Sequence, residues 1–141
     1  QFDKTCWSGK GPIETYADTE NGSYFDVFSQ ATDELSFRYL YPQESGNHCQ
    51  TKWATFKADS QLALKFQGNH SFNFSVHPYS VAAIDSAQHL HELKKADRYY
   101  LYIDYQQHGI VSRSFGPYVL DKYQLHLQKY HFQFEVRIKG V

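Results

Sequence analysis

Apolar residues recur at every second position along most of this chain. Leu35, Phe37, Tyr39 and Tyr41 fall on one face, with Ser36 and Arg38 opposite. Leu62, Leu64 and Phe66 alternate with Ala63 and Lys65, and Phe72, Phe74 and Val76 with Asn73 and Ser75. Tyr99, Leu101, Ile103 and Tyr105 alternate with Tyr100, Tyr102 and Asp104. The clearest run is Phe132, Phe134, Val136 and Ile138, set against His131, Gln133, Glu135, Arg137 and Lys139. Successive side chains of a strand point to opposite faces, so a period of two predicts half-buried β-strands. Shorter runs over 24–28, 51–56, 110–115 and 123–127 bring the total to about nine.

Turn-forming residues separate these runs at 9–12, 21–22, 42–46, 68–69, 108–109 and 116–117. Residues 67–71 and 106–109 read as hairpin loops. One short helix is predicted near residues 86–96: Asp85 or Ser86 can cap it, Leu90 and Leu93 lie three apart, and it ends before Arg98. The fold class that follows is all-β, a β-sandwich or barrel, in a single domain spanning residues 1–141. Ahead of Tyr24 the periodicity fades, and Gly9, Gly11 and Pro12 interrupt any element. Such a segment frays unless something ties it down.

Cysteine and asparagine usage supply the tie and a compartment. Cys6 and Cys49 are the only two cysteines, and an even count in a secreted chain suggests a disulfide. Closing that loop would stabilise by roughly 4 kcal/mol in the chain-entropy model. Three of the four asparagines, Asn21, Asn69 and Asn73, sit in Asn-x-Ser and are candidate glycosylation sites. All three fall in turns or on the polar side of a strand. The polar opening at Gln1 reads as a mature terminus after removal of a leader. The expectation is therefore a secreted, extracellular glycoprotein.

Composition removes several function classes. Lys and Arg number 14 against 15 Asp and Glu, so the basic excess of a nucleic-acid binder is missing. No run of about 18 apolar residues exists to span a bilayer. Among the eight histidines, His89-Leu90-His91 is the one His-x-His. On a helix those two side chains diverge by about 200° and cannot chelate together, so neither metal nor cofactor is expected. His126 and His131 could act as acid and base near Glu135 or Lys129, as in small secreted fungal ribonucleases. No further motif supports that reading. Asp33-Glu34 is a solvated pair rather than a glycosidase dyad, Gly-x-Ser-x-Gly is absent, and no catalytic residue is nominated.

What remains is an aromatic surplus: 12 Tyr, 11 Phe and 2 Trp. Tyr100 and Tyr102 face away from Leu101 and Ile103. They form either a second buried face or an exposed platform. Trp7, Tyr118 and Tyr130 lie at turns or strand ends. These five residues are the candidate binding surface, since exposed aromatic side chains anchor interfaces and stack on sugars. The profile of small size, secretion, one disulfide and no catalytic signature resembles that of small secreted fungal effectors. That resemblance implies a virulence effector or elicitor that recognises a host or extracellular protein. A carbohydrate-binding module or lectin, with a glycan as partner, is the second reading.

Overall fold

The computed structural model describes residues 2–58, 61–110 and 117–140. They form six strands: β1 (Phe2–Gly11), β2 (Tyr24–Ala31), β3 (His48–Ala58), β4 (Ala63–His77), β5 (Tyr100–Asp104) and β6 (Phe134–Lys139). All lie in one antiparallel sheet of order β2-β1-β3-β4-β5, with β6 also paired to β4. The chain is thus mostly β, as the alternation predicts. Among the described residues, however, the strands number six rather than nine and make one sheet. The predicted strand over 110–115 lies outside the described residues except for Ile110.

The central strand β4 organises the sheet. Its 15 residues span about 50 Å at the usual rise, long enough for two neighbours end to end. On one edge β6 pairs with residues 63–68 and β5 with residues 73–77. The other edge belongs to β3. The hairpin loop predicted at 67–71 is instead a wide bulge inside β4. Trp53 pairs with Gln67 and Thr51 with Phe72, so two steps along β3 face five along β4. A Cβ on Gly68 would lie 2.2 Å from the His70 carbonyl oxygen, which shows how sharply the backbone bends there. The Asn69 N–H donates to the Gln133 carbonyl at 3.1 Å, so a strand edge takes up the slack.

The segment expected to fray, residues 2–11, is β1, paired on both edges. Its inner face carries Thr5 and Trp7, both fully buried. Gly9 continues that face, and a Cβ there would sit 2.9 Å from Thr51 Cα. Glycine at this position permits close strand approach rather than breaking the strand. Around Trp7 the core gathers Leu35, Ala54, Phe56, Phe72, Phe74 and Val76, with Phe28, Leu101 and Ile103 packed against them.

Two other predicted elements differ. Residues 35–41 alternate but form no strand; Leu35 alone plugs the core, while Phe37, Leu40 and Tyr41 are exposed. Residues 123–127 follow a single 3-10 turn at Asp121–Tyr123. The helix is α1 (Val81–Ser86), earlier than predicted. The Ser80 hydroxyl caps it by accepting from the Ala83 N–H at 3.1 Å, so Asp85 and Ser86 end the helix instead of starting it. Leu90 lies in a separate 3-10 turn, Leu90–Glu92.

Candidate functional site

At the end of the sheet where β1 finishes and β3 begins, polar side chains are buried together. Residues 14–16 run beside residues 46–49. The Thr15 N–H donates to the Asn47 carbonyl at 2.6 Å, and the Asn47 amide donates back to the Thr15 carbonyl at 2.7 Å. The Thr15 hydroxyl accepts from the Cys49 N–H at 2.8 Å. Glu14 fastens the 35–47 loop over this pair. One carboxylate oxygen accepts from the Tyr39 hydroxyl, the other from the Gly46 N–H at 2.7 Å. Burial and the Glu14 carboxylate push the Tyr39 hydroxyl up to about 12.

Gly46 holds the left-handed conformation this closure needs, at φ +70. A Cβ there would lie 2.6 Å from the Leu35 carbonyl oxygen. Gly46→Ala is therefore expected to lose about 2 kcal/mol or more through strain and clash. The urea midpoint measures it, with Gly22→Ala, where nothing lies within 4 Å, as the variant that should not move.

Two imidazoles and, beside Glu14, two further carboxyls sit in this cluster. His48 is 1% exposed, stacked on Phe74 at 5.0 Å and edge-on to Trp7 at 4.6 Å. Its Nδ1–H donates to the Gly46 carbonyl at 2.9 Å. Burial pulls its pKa down to about 4, the backbone carbonyls offsetting only part. His77 is also buried and shifted down for the same reason, with the Ser45 backbone opposing. Glu44 moves the other way, up to about 7: packing around its carboxyl comes first, then the charge of Asp104, while the Tyr16 hydroxyl pulls it back. Burial likewise raises Asp104, against a 2.9 Å hydrogen bond from Gln107. The arrangement can hold a proton near neutrality on Glu44 and keeps both imidazoles neutral. It presents no nucleophile beside a base.

Next to this cluster a polar cleft of about 430 Å³ opens between the start of β3 and the 105–107 and 122–125 loops. Asn73, Tyr105 and Gln124 are among its walls. Sequence reasoning missed Glu14, Glu44 and Asp104, and it read Tyr16 as an aromatic at a turn or strand end, whereas the ring is buried. The one local signal was the 42–46 turn, which reads as a connection until Gly46 is seen to need a positive φ.

The five nominated aromatics do not form one surface. Trp7 is 0% exposed and belongs to the core; its place beside a turn misled, because β1 runs through that turn signal. Tyr100 and Tyr102 are half-buried on the opposite face of the sheet, paired across β4 with His77 and Ser75. Tyr118 and Tyr130 are exposed, and Tyr130 packs on Tyr105 at 4.9 Å beside the cleft. Asn21 and Asn69 are exposed, whereas Asn73 is buried at 7% exposure. The His89 and His91 rings stack at 5.5 Å instead of diverging, because His89 caps a 3-10 turn in extended backbone and His91 lies within that turn, rather than both lying inside an α-helix. Among the described residues no group of three metal-ligating side chains converges.

The expected disulfide is not formed. Cys6 and Cys49 are both free. Cys6 pairs across to Thr55, six residues along β3 from Cys49, which puts the two on the order of 20 Å apart. A bridge needs Cα atoms within about 7 Å. Cys6 donates to the Ser29 hydroxyl at 3.3 Å, Cys49 to the Thr15 carbonyl at 3.2 Å. Thiol titration of the denatured, unreduced chain should find two thiols; none would restore the bridge. What ties β1 down is its two ladders.

The sequence model for the family described as Beta galactosidase small chain matches residues 1–136. The chain is 36% identical over 131 residues to a beta-galactosidase of Kluyveromyces lactis, covering 92% of this chain and 12% of that protein. It is 30% identical over 136 residues to a beta-galactosidase of Staphylococcus xylosus, covering 96% and 14%. For a beta-galactosidase of Vibrio vulnificus the figures are 31% over 134 residues, 94% and 12%. The chain thus spans only about an eighth of the length of these relatives. The match overturns the reading as a secreted effector, elicitor or virulence factor, and with it the lectin and ribonuclease alternatives. That reading rested on a disulfide the structure lacks and on a general profile that any small β-rich domain shares. The chain belongs to the Beta galactosidase small chain family.

Proposed function

We propose that this chain is a domain of a β-galactosidase and works only as part of that larger glycoside hydrolase. The observation that carries the reading is the family match across residues 1–136 to proteins some eightfold longer. The sheet's own apolar surface supports it. Phe134, Val136 and Ile138 point to the core side of β6 yet are 41%, 46% and 71% exposed. Val27 and Tyr24 on the edge strand β2 are exposed at 62% and 59%. The stripe on β6 is apolar surface of the kind that further protein covers. Within the chain, the buried polar cluster serves to lock the 35–47 loop, not to turn over a substrate.

The test is hydrolysis of a chromogenic β-galactoside. The chain alone should show no turnover, and the polypeptide or assembly that carries it should be active. Deletion of residues 1–141 from that assembly should abolish the activity. Unchanged hydrolysis after the deletion, or turnover by the chain alone, would refute the reading.

A further inference from the structure

We propose that the cavity between the 36–45 loop and α1 is a binding site for a small hydroxyaryl carboxylate, a flat ring with a hydroxyl at one end and a carboxylate at the other. The path of the chain creates the cavity. Glu14 holds the loop down through Tyr39 and Gly46, and His77, the last residue of β4, lies beneath it. Ile84 of α1, with Leu90 and Leu93 from the turn that follows, completes the wall opposite Phe37 and Pro42. A space of about 90 Å³ remains between them. That is several times the about 10–15 Å³ that one water needs, and its walls are mostly apolar.

His77 sets what the deep end of the cavity accepts. It is 2% exposed, lines the cavity, and its Nε2 has no hydrogen-bond partner among the described residues. An unpaired ring nitrogen at that depth is costly, so an occupant that pairs it is favoured. Burial keeps the imidazole neutral. Nε2 of a neutral ring gives or takes one hydrogen bond according to tautomer, and a hydroxyl can serve either case. A carboxylate there would lose its hydration to a neutral partner, so a charged group belongs at the mouth. Arg38 stands at the mouth: it lines the same cavity, is exposed, and makes no ion pair among the described residues. The carboxylate nearest in charge, Asp33, is already held by Lys95 and Tyr99. A free guanidinium takes a carboxylate through paired N–H donors, and the same charge disfavours amines. Hydroxyl, apolar ring and carboxylate thus match the floor, the walls and the mouth.

The site stands on the cavity alone and is independent of the reading as a hydrolase domain. Equilibrium dialysis of the full chain with para-hydroxybenzoate, para-hydroxyphenylacetate and para-hydroxyphenylpropanoate, a series of increasing length, provides the test. At least one should bind saturably. Replacing its hydroxyl by methyl, which neither donates nor accepts, should weaken binding about tenfold, and that preference should vanish in His77→Phe. Replacing its carboxylate by carboxamide should weaken binding several-fold in the parent chain and leave it unchanged in Arg38→Gln. Circular dichroism establishes that both variants keep the sheet, and the ligand pairs on the parent chain decide the matter should a variant unfold. Absence of saturable binding by all three would assign the cavity to water and overturn the proposal. Equal binding of hydroxyl and methyl compounds, or a preference that survives in folded His77→Phe, would overturn it too. Hydrolysis by the carrying assembly is scored separately, so either result leaves the domain reading intact.

Discussion

Trp7→Ala is expected to destabilise the sheet by about 3–5 kcal/mol, the usual cost of deleting a fully buried aromatic side chain. The indole is 0% exposed and touches three elements at once. Its ring lies 5.2 Å from Phe28 on β2, 4.6 Å from His48 on β3 and 5.9 Å from Phe74 on β4. Its Nε1–H donates to the Lys10 carbonyl at 3.1 Å. Truncation leaves a cavity that four strands would have to move together to fill, and it frees that carbonyl. Since such domains are stable by only about 5–15 kcal/mol, the variant should melt more than about 10 °C lower. Leu127→Ala, at a fully exposed position, should move Tm little. A Trp7→Ala variant within 1 kcal/mol of the parent in urea would show that β1 is not the centre of the core.

Acid is expected to destabilise the fold more steeply than carboxylate protonation alone accounts for. His48 is held neutral in the folded state, its pKa down at about 4, while the unfolded imidazole titrates near 6.5. Below pH 6.5 the unfolded chain therefore takes up a proton that the folded chain refuses. The stability from burying neutral His48 is complete above pH 6.5 and is lost as pH falls toward 4, at up to about 1.4 kcal/mol per pH unit. His77 is shifted in the same direction and adds to the slope. Glu44 has the opposite sign: with its folded pKa raised from 4.5 to about 7, its contribution is present below 4.5 and lost as pH rises through 7. Glu44 is partly in solvent, so screening reduces its share and the enclosed imidazoles win. Urea midpoints between pH 7.5 and 5 should fall with acid, and more steeply in Glu44→Gln, where the opposing group is gone. A flat profile in both proteins would show that neither imidazole is sealed.

Period-two alternation alone made the β class, the core side of β4 to β6 and the inward set Phe72, Phe74, Val76, Leu101 and Ile103 readable. Alternation, though, reports only which face a residue takes within a strand, not whether a partner strand lies beside it. Residues 35–41 alternate as well as any strand, but no free edge meets them, so only Leu35 is buried. Residues 2–11 alternate poorly because Gly9 and Gly11 stand where larger side chains would collide with β3 and β2; two ladders make that segment the middle of the sheet. Gly68-Asn69 has the composition of a turn, and only the pairing of β3 and β6 on either side shows that β4 runs straight through it. The polar cluster was hidden for the same reason. Glu14, Glu44, His48, His77 and Asp104 come from four separate stretches of chain, and their meeting depends on loop closure around Gly46. Cys6 and Cys49 invited a bridge by count, while the strand register holds them far apart. Local physics chose the faces of the strands; long-range pairing chose the neighbours, and the cleft beside Asn73 exists only because of those neighbours.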